Sequence, residues 1–250
     1  MILENLPINS LRCPKTHSPL MLEGDFLFTT DCKEKIKYPI IDSIPILINE
    51  NQSLFSMDQF ISKTDTTIDS KKIISDGGNK ARKFLLSLIP SLTVDLSSEK
   101  NFEIFEKKIF ELSDSPTILV IGGATLGSGM SNFMKSGKAT IVESDVALGT
   151  NTNFIFDAHD IPFVDGSFDA VIIQAVLEHV LDPVRCVSEI YRVLKTDGVV
   201  YSDIPFMQQV HMGRYDFTRY TFLGQLNLFK DFDEIQSGMS SGPGLSLIHI

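Results

Sequence analysis

The sequence predicts a doubly wound α/β domain, a parallel sheet with helices on both faces. Three observations predict it. Short apolar strands alternate with helical stretches from residue 117 onward. A glycine-rich turn, Gly122-Gly123-Ala124-Thr125-Leu126-Gly127, directly follows the first of these strands. Acidic residues, Glu143 and Asp157, stand at the ends of the next two. Such alternation covers both faces of a parallel sheet, and a sheet of this kind binds its ligand beyond the strand carboxyl ends, where the strand order reverses.

Taken in order, residues 1–50 read as a small β-rich module. Strand-like pieces at 26–29, 40–41 and 44–48 are punctuated by Pro14, Pro19, Pro39 and Pro45, a pattern of short strands and tight turns. Residues 51–80 are polar, with Ser, Thr, Asp and Lys dominating 62–72, and predict a linker. Apolar residues at helical spacing predict helices over 81–93 (Phe84, Leu85, Leu88, Ile89, Leu92) and over 100–112 (Phe102, Ile104, Phe105, Ile109, Phe110). The resulting layout is a module at 1–50, a linker and helical segment at 51–100, and the sheet domain at 101–244.

Within the sheet domain, strands are predicted at 117–121, 139–142, 153–156, 170–173 and 199–204. A helix lies between the last two. Asp182 suits its N-cap and Pro183 its first position. Val187, Ile190, Tyr191 and Leu194 form the predicted buried stripe, and Gly198 the predicted stop.

The net charge of −10 disfavours a phosphate-backbone partner, since the basic residues form only pairs such as Lys71-Lys72 and Lys107-Lys108. Cys13, Cys32 and Cys186 are too few and too unevenly spaced for a disulfide framework, which points to a reducing cytoplasm. The first residues lack the basic-then-apolar layout of a secretory signal, and no apolar run approaches the ~20 residues of a membrane span.

The chemistry concentrates at the strand ends. Glycines after a buried strand allow a sharp turn and a close backbone approach to a ligand. The turn differs from a dinucleotide fingerprint at Ala124, which occupies the middle glycine position. Glu143, about 20 residues past the glycines, is placed to accept from two ribose hydroxyls, a geometry that serves NAD and S-adenosylmethionine equally. Asp145 is the alternative. Asp157 could accept from an adenine amino group, with the Ala158 or His159 backbone completing the contact, while the His159 side chain reads as a surface-loop histidine.

The segments Asp157-Ala158-His159-Asp160-Ile161-Pro162-Phe163, Asp165-Gly166-Ser167-Phe168-Asp169, Leu177-Glu178-His179-Val180, Leu181-Asp182-Pro183 and Glu189-Ile190-Tyr191-Arg192-Val193-Leu194 together resemble the class I S-adenosylmethionine-dependent methyltransferases, in particular the type 11 group. The resemblance covers about residues 115–244 and implies a Rossmann-like sheet. It implies that Gly122, Gly123 and Gly127 flank the methionine part of S-adenosylmethionine. Glu143 would bind the ribose, Asp157, Ala158 and His159 would surround the adenine, and Gln174 would lie beside the cofactor. Val120 stands where the family carries an acid two residues before the first glycine. The resemblance extends through Pro205-Phe206-Met207-Gln208-Gln209-Val210-His211 and Tyr215-Asp216-Phe217-Thr218-Arg219-Tyr220-Thr221, found in methyltransferases of small-metabolite and surface-polysaccharide pathways. That segment follows the fifth strand and overhangs the site. His211, Tyr215 and Asp216 are its candidate catalytic residues, since a histidine or aspartate there could take a proton from a hydroxyl or amine. His179 is a further candidate. Methyl transfer itself needs mainly in-line positioning.

The N-terminal module resembles the Trm112-type zinc-ribbon family through Leu11-Arg12-Cys13-Pro14, Pro19-Leu20 and Tyr38-Pro39-Ile40-Ile41-Asp42-Ser43-Ile44-Pro45-Ile46-Leu47. Thr16 stands where that family's second cysteine belongs and Cys32 lacks a partner, so two thiols and His17 make a poor tetrahedral site. A metal-free module is expected. At the other end, Leu245-Ser246-Leu247-Ile248-His249-Ile250 matches one reading frame of a transposase adapter. A C-terminally truncated sheet domain with a non-native tail at 245–250 is therefore expected, with residues 232–235 forming a strand whose neighbour is lost and whose edge is exposed.

Three functions follow as expectations. The first is an S-adenosylmethionine-dependent methyltransferase acting on an oxygen or nitrogen of a small molecule or saccharide. The second is an NAD-dependent oxidoreductase or epimerase, against which Ala124 and the Leu177–Val180 run argue. The third is a non-catalytic cofactor-binding or activator subunit.

Overall fold

The computed structural model describes residues 10–30, 35–64, 97–124, 127, 129–135, 137–149, 151–239 and 246–249. The helix expected at 81–93, Cys32 and most of the expected linker lie outside these residues. Strands β1 (Leu20–Glu23), β2 (Phe26–Thr29), β3 (Lys37–Ile41) and β4 (Ile44–Leu47) come first. Helices α1 (Met57–Ile61) and α2 (Ser98–Leu112) follow. Then come β5 (Thr117–Ile121), α3 (Met130–Lys135), β6 (Thr140–Asp145), β7 (Phe154–Phe156), β8 (Phe168–Gln174), α4 (Pro183–Val193) and β9 (Leu194–Pro205). Helix α5 (Phe222–Leu228), β10 (Ser237–Met239) and β11 (Ser246–His249) complete the described elements.

The strands join in the order β1-β2-β3-β4-β7-β6-β5-β8-β9-β11-β10. Every pairing from β4 to β9 is parallel. β5 is the switch point, with β6 on one side and β8 on the other. Its residues divide between two cores, as a strand buried on both faces requires. Ile118 and Val120 pack with Phe102, Phe105 and Ile109 of α2. Leu119 and Ile121 pack with Val187, Ile190 and Val193 of α4. The α2 face is aromatic: Phe102 stacks on Tyr201 at 4.5 Å between ring centroids, and Phe105 meets the same ring edge-on at 5.6 Å. Each fully buried ring contributes on the order of 2–3 kcal/mol.

Asp182 caps α4 by accepting from the Arg185 N–H at 3.1 Å, with Pro183 opening the helix. Three details of this region differ from the sequence reading. The helix ends at Val193 and β9 begins at once, so Gly198 is not its stop. Tyr191 is 57% exposed and meets Phe232 edge-on, while Cys186 takes its place in the buried stripe. The strand expected at 232–235 forms instead at Ser237–Met239, and Ser246–His249 lies between it and β9, antiparallel to both. Among the described residues, then, the far edge of β9 is covered.

The N-terminal hairpins continue the main sheet. β4 pairs in parallel with β7 (Ile46 opposite Ile155, Leu47 opposite Phe156), and Leu11, Cys13, Leu27 and Tyr38 belong to the same core as Leu119 and Phe156. The Cys13 Sγ lies 3.1 Å from the Tyr38 hydroxyl and accepts from the Thr16 N–H. Residues 51–64 are also ordered against the domain, contrary to a linker. Ser56 and Gln59 form a capping box at the start of α1, and Phe55 and Phe60 are buried. Among the described residues no helix is long and apolar enough to cross a membrane.

Candidate cofactor and acceptor site

The carboxyl ends of β5, β6, β7, β8 and β9 converge on one rim. Gly122 and Gly123 turn the chain after β5, and both of their N–H groups donate to the Ser144 carbonyl at 2.9 Å. Gly122 has φ +84°, and a Cβ there would lie 2.3 Å from Val176 Cγ2, so both conformation and space demand glycine. A Cβ on Gly127 would strike the Gln174 carboxamide oxygen. Two residues expected beside the cofactor, from β8 and from the glycine turn, are thus in contact. The Gln174 Nε2 donates to Asp203 at 3.3 Å.

Glu143 and Asp145 both end β6 and both are buried, but their surroundings differ. Asp145 Oδ2 accepts from the Ala124 N–H and Oδ1 from the Ala147 N–H, each at 2.9 Å. Its carboxylate holds the glycine turn against the strand end. Burial still pushes its pKa up to about 6, against these hydrogen bonds. Glu143 has its backbone clamped by Asn153, whose side-chain oxygen accepts from the Glu143 N–H at 2.8 Å. Its Oε2 is buried and has no hydrogen-bond partner among the described residues. Burial raises the Glu143 pKa to about 7. The carboxylate lies directly over Gly123, with Oε2 3.4 Å from where a Cβ would be.

Asp157, at the end of β7, is differently placed. Its Oδ1 receives the His159 Nδ1 at 2.5 Å and the His159 N–H at 3.1 Å, and its Oδ2 receives the Ser53 hydroxyl at 2.5 Å. Burial alone would raise its pKa, but the His159 and Ser53 hydrogen bonds outweigh burial and hold the carboxyl below its ordinary value. His159 is only 8% exposed, which corrects its reading as a surface-loop histidine. Its Nε2 accepts from the Asp182 N–H at 3.0 Å, so the ring carries its proton on Nδ1 and ties β7 to the start of α4. Next to it, Asp160 accepts from Asn49 at 3.1 Å and pairs with Arg185. Ala158 is buried beside this pair.

The segment after β9 folds over the end of β8. The Phe217 and Thr218 N–H groups donate to the Glu178 carbonyl at 2.9 and 3.2 Å. His211 and Asp216 come together, and the His211 N–H donates to Asp216 Oδ2 at 2.7 Å. Arg219 grips both oxygens of Asp216 and holds its carboxyl far below the usual range. A carboxylate so held is a weak base. The Tyr215 ring is buried and stacks on Phe55 at 5.3 Å, with its hydroxyl accepting from Arg214 at 2.7 Å. Of the three candidate catalytic residues, His211 meets a second histidine: its Nε2 lies 3.0 Å from His179 Nε2.

Sequence reasoning missed Glu178 as a site residue. Its side chain is fully buried, neither carboxylate oxygen has a hydrogen-bond partner among the described residues, and burial pushes its pKa up to about 7. It also missed Ser53 and Asn49, which carry no motif. A groove on the α4 and α5 side is lined by Val187, Tyr191, Tyr220, Asn227 and Phe232.

Residues 130–202 match the family model of a methyltransferase domain. The match runs from α3 into β9 and includes Glu143, Asp157, Gln174 and Glu178. A demethylmenaquinone methyltransferase of Listeria welshimeri is 30% identical over 124 residues, covering 46% of this chain and 51% of the relative. The chain thus spans about half the length of this curated relative. A methyltransferase structure from Methanosarcina mazei, described as S-adenosylmethionine-dependent, is 20% identical with a TM-score of 0.44, covering 58% of this chain and 94% of the other. The 1,6-didemethyltoxoflavin-N1-methyltransferase of Burkholderia thailandensis, solved with S-adenosylhomocysteine, is 12% identical with a TM-score of 0.49, covering 89% of this chain and 96% of the other. The family match and the curated relative support a methyltransferase.

Proposed function

We propose that the protein is an S-adenosylmethionine-dependent methyltransferase acting on an oxygen or nitrogen of a small molecule or saccharide. The observation that carries this reading is Glu143. A buried carboxylate oxygen with no partner is unfavourable, and a ribose diol laid over Gly123 would satisfy it. Asp145 is already committed to the Ala124 and Ala147 N–H groups, which leaves Glu143 for the ribose. Gly122, Gly123 and Gly127 would flank the methionine portion, with Gln174 beside it. Asp157, fixed by His159 and Ser53, would present its remaining lone pairs, with the Ala158 and His159 backbone, toward the adenine amino group.

S-adenosylmethionine, when bound, supplies an electrophilic methyl group on a sulfonium. The protein's part is to align an acceptor with that group and to shield it from water. The roof formed by residues 206–221 stands over the ends of β8 and β9 and is the natural acceptor boundary. His211 there could receive the acceptor's proton. The buried thiols Cys13 and Cys186 suit a reducing cytoplasm, and the hairpins of residues 1–50 serve as a metal-free Trm112-like module built onto the sheet.

Calorimetric titration of the full chain with S-adenosylmethionine and, separately, with NAD tests the cofactor. Saturable micromolar binding of the first and none of the second is expected. Tighter binding of NAD would overturn the reading. A screen of hydroxylated and amine-bearing metabolites and saccharides with methyl-labelled cofactor then tests the acceptor class.

A further inference from the structure

We propose that Glu178, His179 and His211 form a binding site for a divalent transition-metal ion of the zinc class, independent of the cofactor assignment and, with the His211 Nε2 taken by the ion, in place of a proton-accepting role for that ring. One ligand atom from each residue falls within 4.8 Å of the others. The separations are 3.0 Å between the two Nε2 atoms, 3.7 Å from His179 Nε2 to Glu178 Oε1, and 4.0 Å from His211 Nε2 to the same oxygen. A point in the plane of those atoms lies about 2.1 Å from all three, which is the length of zinc–nitrogen and zinc–carboxylate bonds.

Two further observations point to a cation. The Glu178 side chain is fully buried, and neither of its oxygens accepts a hydrogen bond among the described residues. A carboxylate in that state is stabilised by a positive charge close by, and Arg219, which acts on it through space, is itself committed to both oxygens of Asp216. The His179 Nδ1 donates to the Tyr215 carbonyl at 2.7 Å, which leaves the Nε2 lone pair facing Glu178 and His211. A ring N–H anchored on a backbone carbonyl is the usual outer support of a metal-binding histidine. His211 is held on the same side by its own N–H bond to Asp216.

Two imidazoles and one carboxylate are a donor set that suits zinc, iron, cobalt or manganese and leaves coordination positions open. The site lies where the 206–221 segment closes over the turn after β8. An open position there suits an anionic or hydroxyl oxygen of a small acceptor. The competing account is a direct hydrogen bond between the two histidines, in which His211 Nε2 carries the proton while its Nδ1, 3.3 Å from an Arg219 nitrogen, accepts.

The 250-residue chain, stripped with chelator and titrated with zinc by calorimetry, is expected to bind one equivalent. His179→Ala, His211→Ala and Glu178→Gln should each weaken binding by at least about tenfold, whereas His17→Ala, at an exposed histidine, should leave it unchanged. Cobalt loading should give a visible absorption band that His179→Ala abolishes. Circular dichroism reports whether each variant folds. His211, with a side chain 29% exposed, is the ligand whose loss threatens folding least and is therefore the deciding variant. Failure of zinc, cobalt and manganese alike to bind stoichiometrically would overturn the proposal. So would zinc binding that His211→Ala leaves intact, and the 3.0 Å contact would then be a hydrogen bond.

Discussion

The ends of β6 and β7 carry two buried carboxylates with opposite fates. Glu143 and Asp157 are 5% and 6% exposed, so burial penalises both charges. Asp157 is met by His159 and Ser53 from within the protein, and its acidity is strengthened. Glu143 Oε2 meets no such donor, and its pKa rises to about 7. The difference teaches that hydrogen-bond supply, not burial alone, separates the two. Asp157 has its charge met from within the protein, whereas Glu143 keeps one oxygen without a partner among the described residues.

The largest effect expected from breaking this contrast is on stability. Asp157→Ala leaves the buried His159 Nδ1 and the Ser53 hydroxyl without their acceptor and should cost about 3 kcal/mol, read by urea denaturation. A loss below 1 kcal/mol would show that the framework role is misassigned.

A pH comparison sharpens the contrast next. The pKa of Glu143 is raised on folding, so the folded state is favoured below the unfolded value near 4.5 and loses that advantage as pH rises through about 7. Relative to Glu143→Gln, the wild type should lose about 2 kcal/mol across that window. Asp145 is common to both proteins and cancels in the difference. Asp157 has the opposite sign. Its depressed pKa means that the advantage of the wild type over Asp157→Asn is full at neutral pH and disappears only as pH falls through and below 3.8. Parallel pH profiles for the two variants would contradict the contrast.

The smallest effect is expected from Ser53→Ala, which removes one of the two side chains donating to Asp157 and should cost about 1 kcal/mol, read by urea denaturation.

Much of the fold is legible in the sequence because strands buried on both faces appear as unbroken apolar runs, as in Thr117–Ile121. The glycine turn and Glu143 are legible because they directly follow such strands. What escaped depends on partners distant in sequence. Ser53 sits in a polar stretch that resembles a linker, yet it reaches Asp157, 104 residues later. His159 looks exposed from its loop, and only the arrival of the Asp182 N–H, 23 residues on, buries it. The Glu178–His179–His211 cluster needs the 206–221 segment to fold back over 32 residues, which no local period records. Tyr191 shows the limit of helical spacing itself, since a stripe wide enough to include it also admits Cys186, and packing chooses the smaller side chain.

The central claim is that Glu143 is held open for the ribose of S-adenosylmethionine. Calorimetric titration of the wild type and Glu143→Ala with S-adenosylmethionine, with the stability of both measured in parallel, tests it most directly. The account predicts a loss of affinity of at least about tenfold, roughly 1.4 kcal/mol, with stability unchanged or increased because an unsatisfied buried carboxyl is gone. Unchanged affinity in a folded Glu143→Ala protein would contradict it.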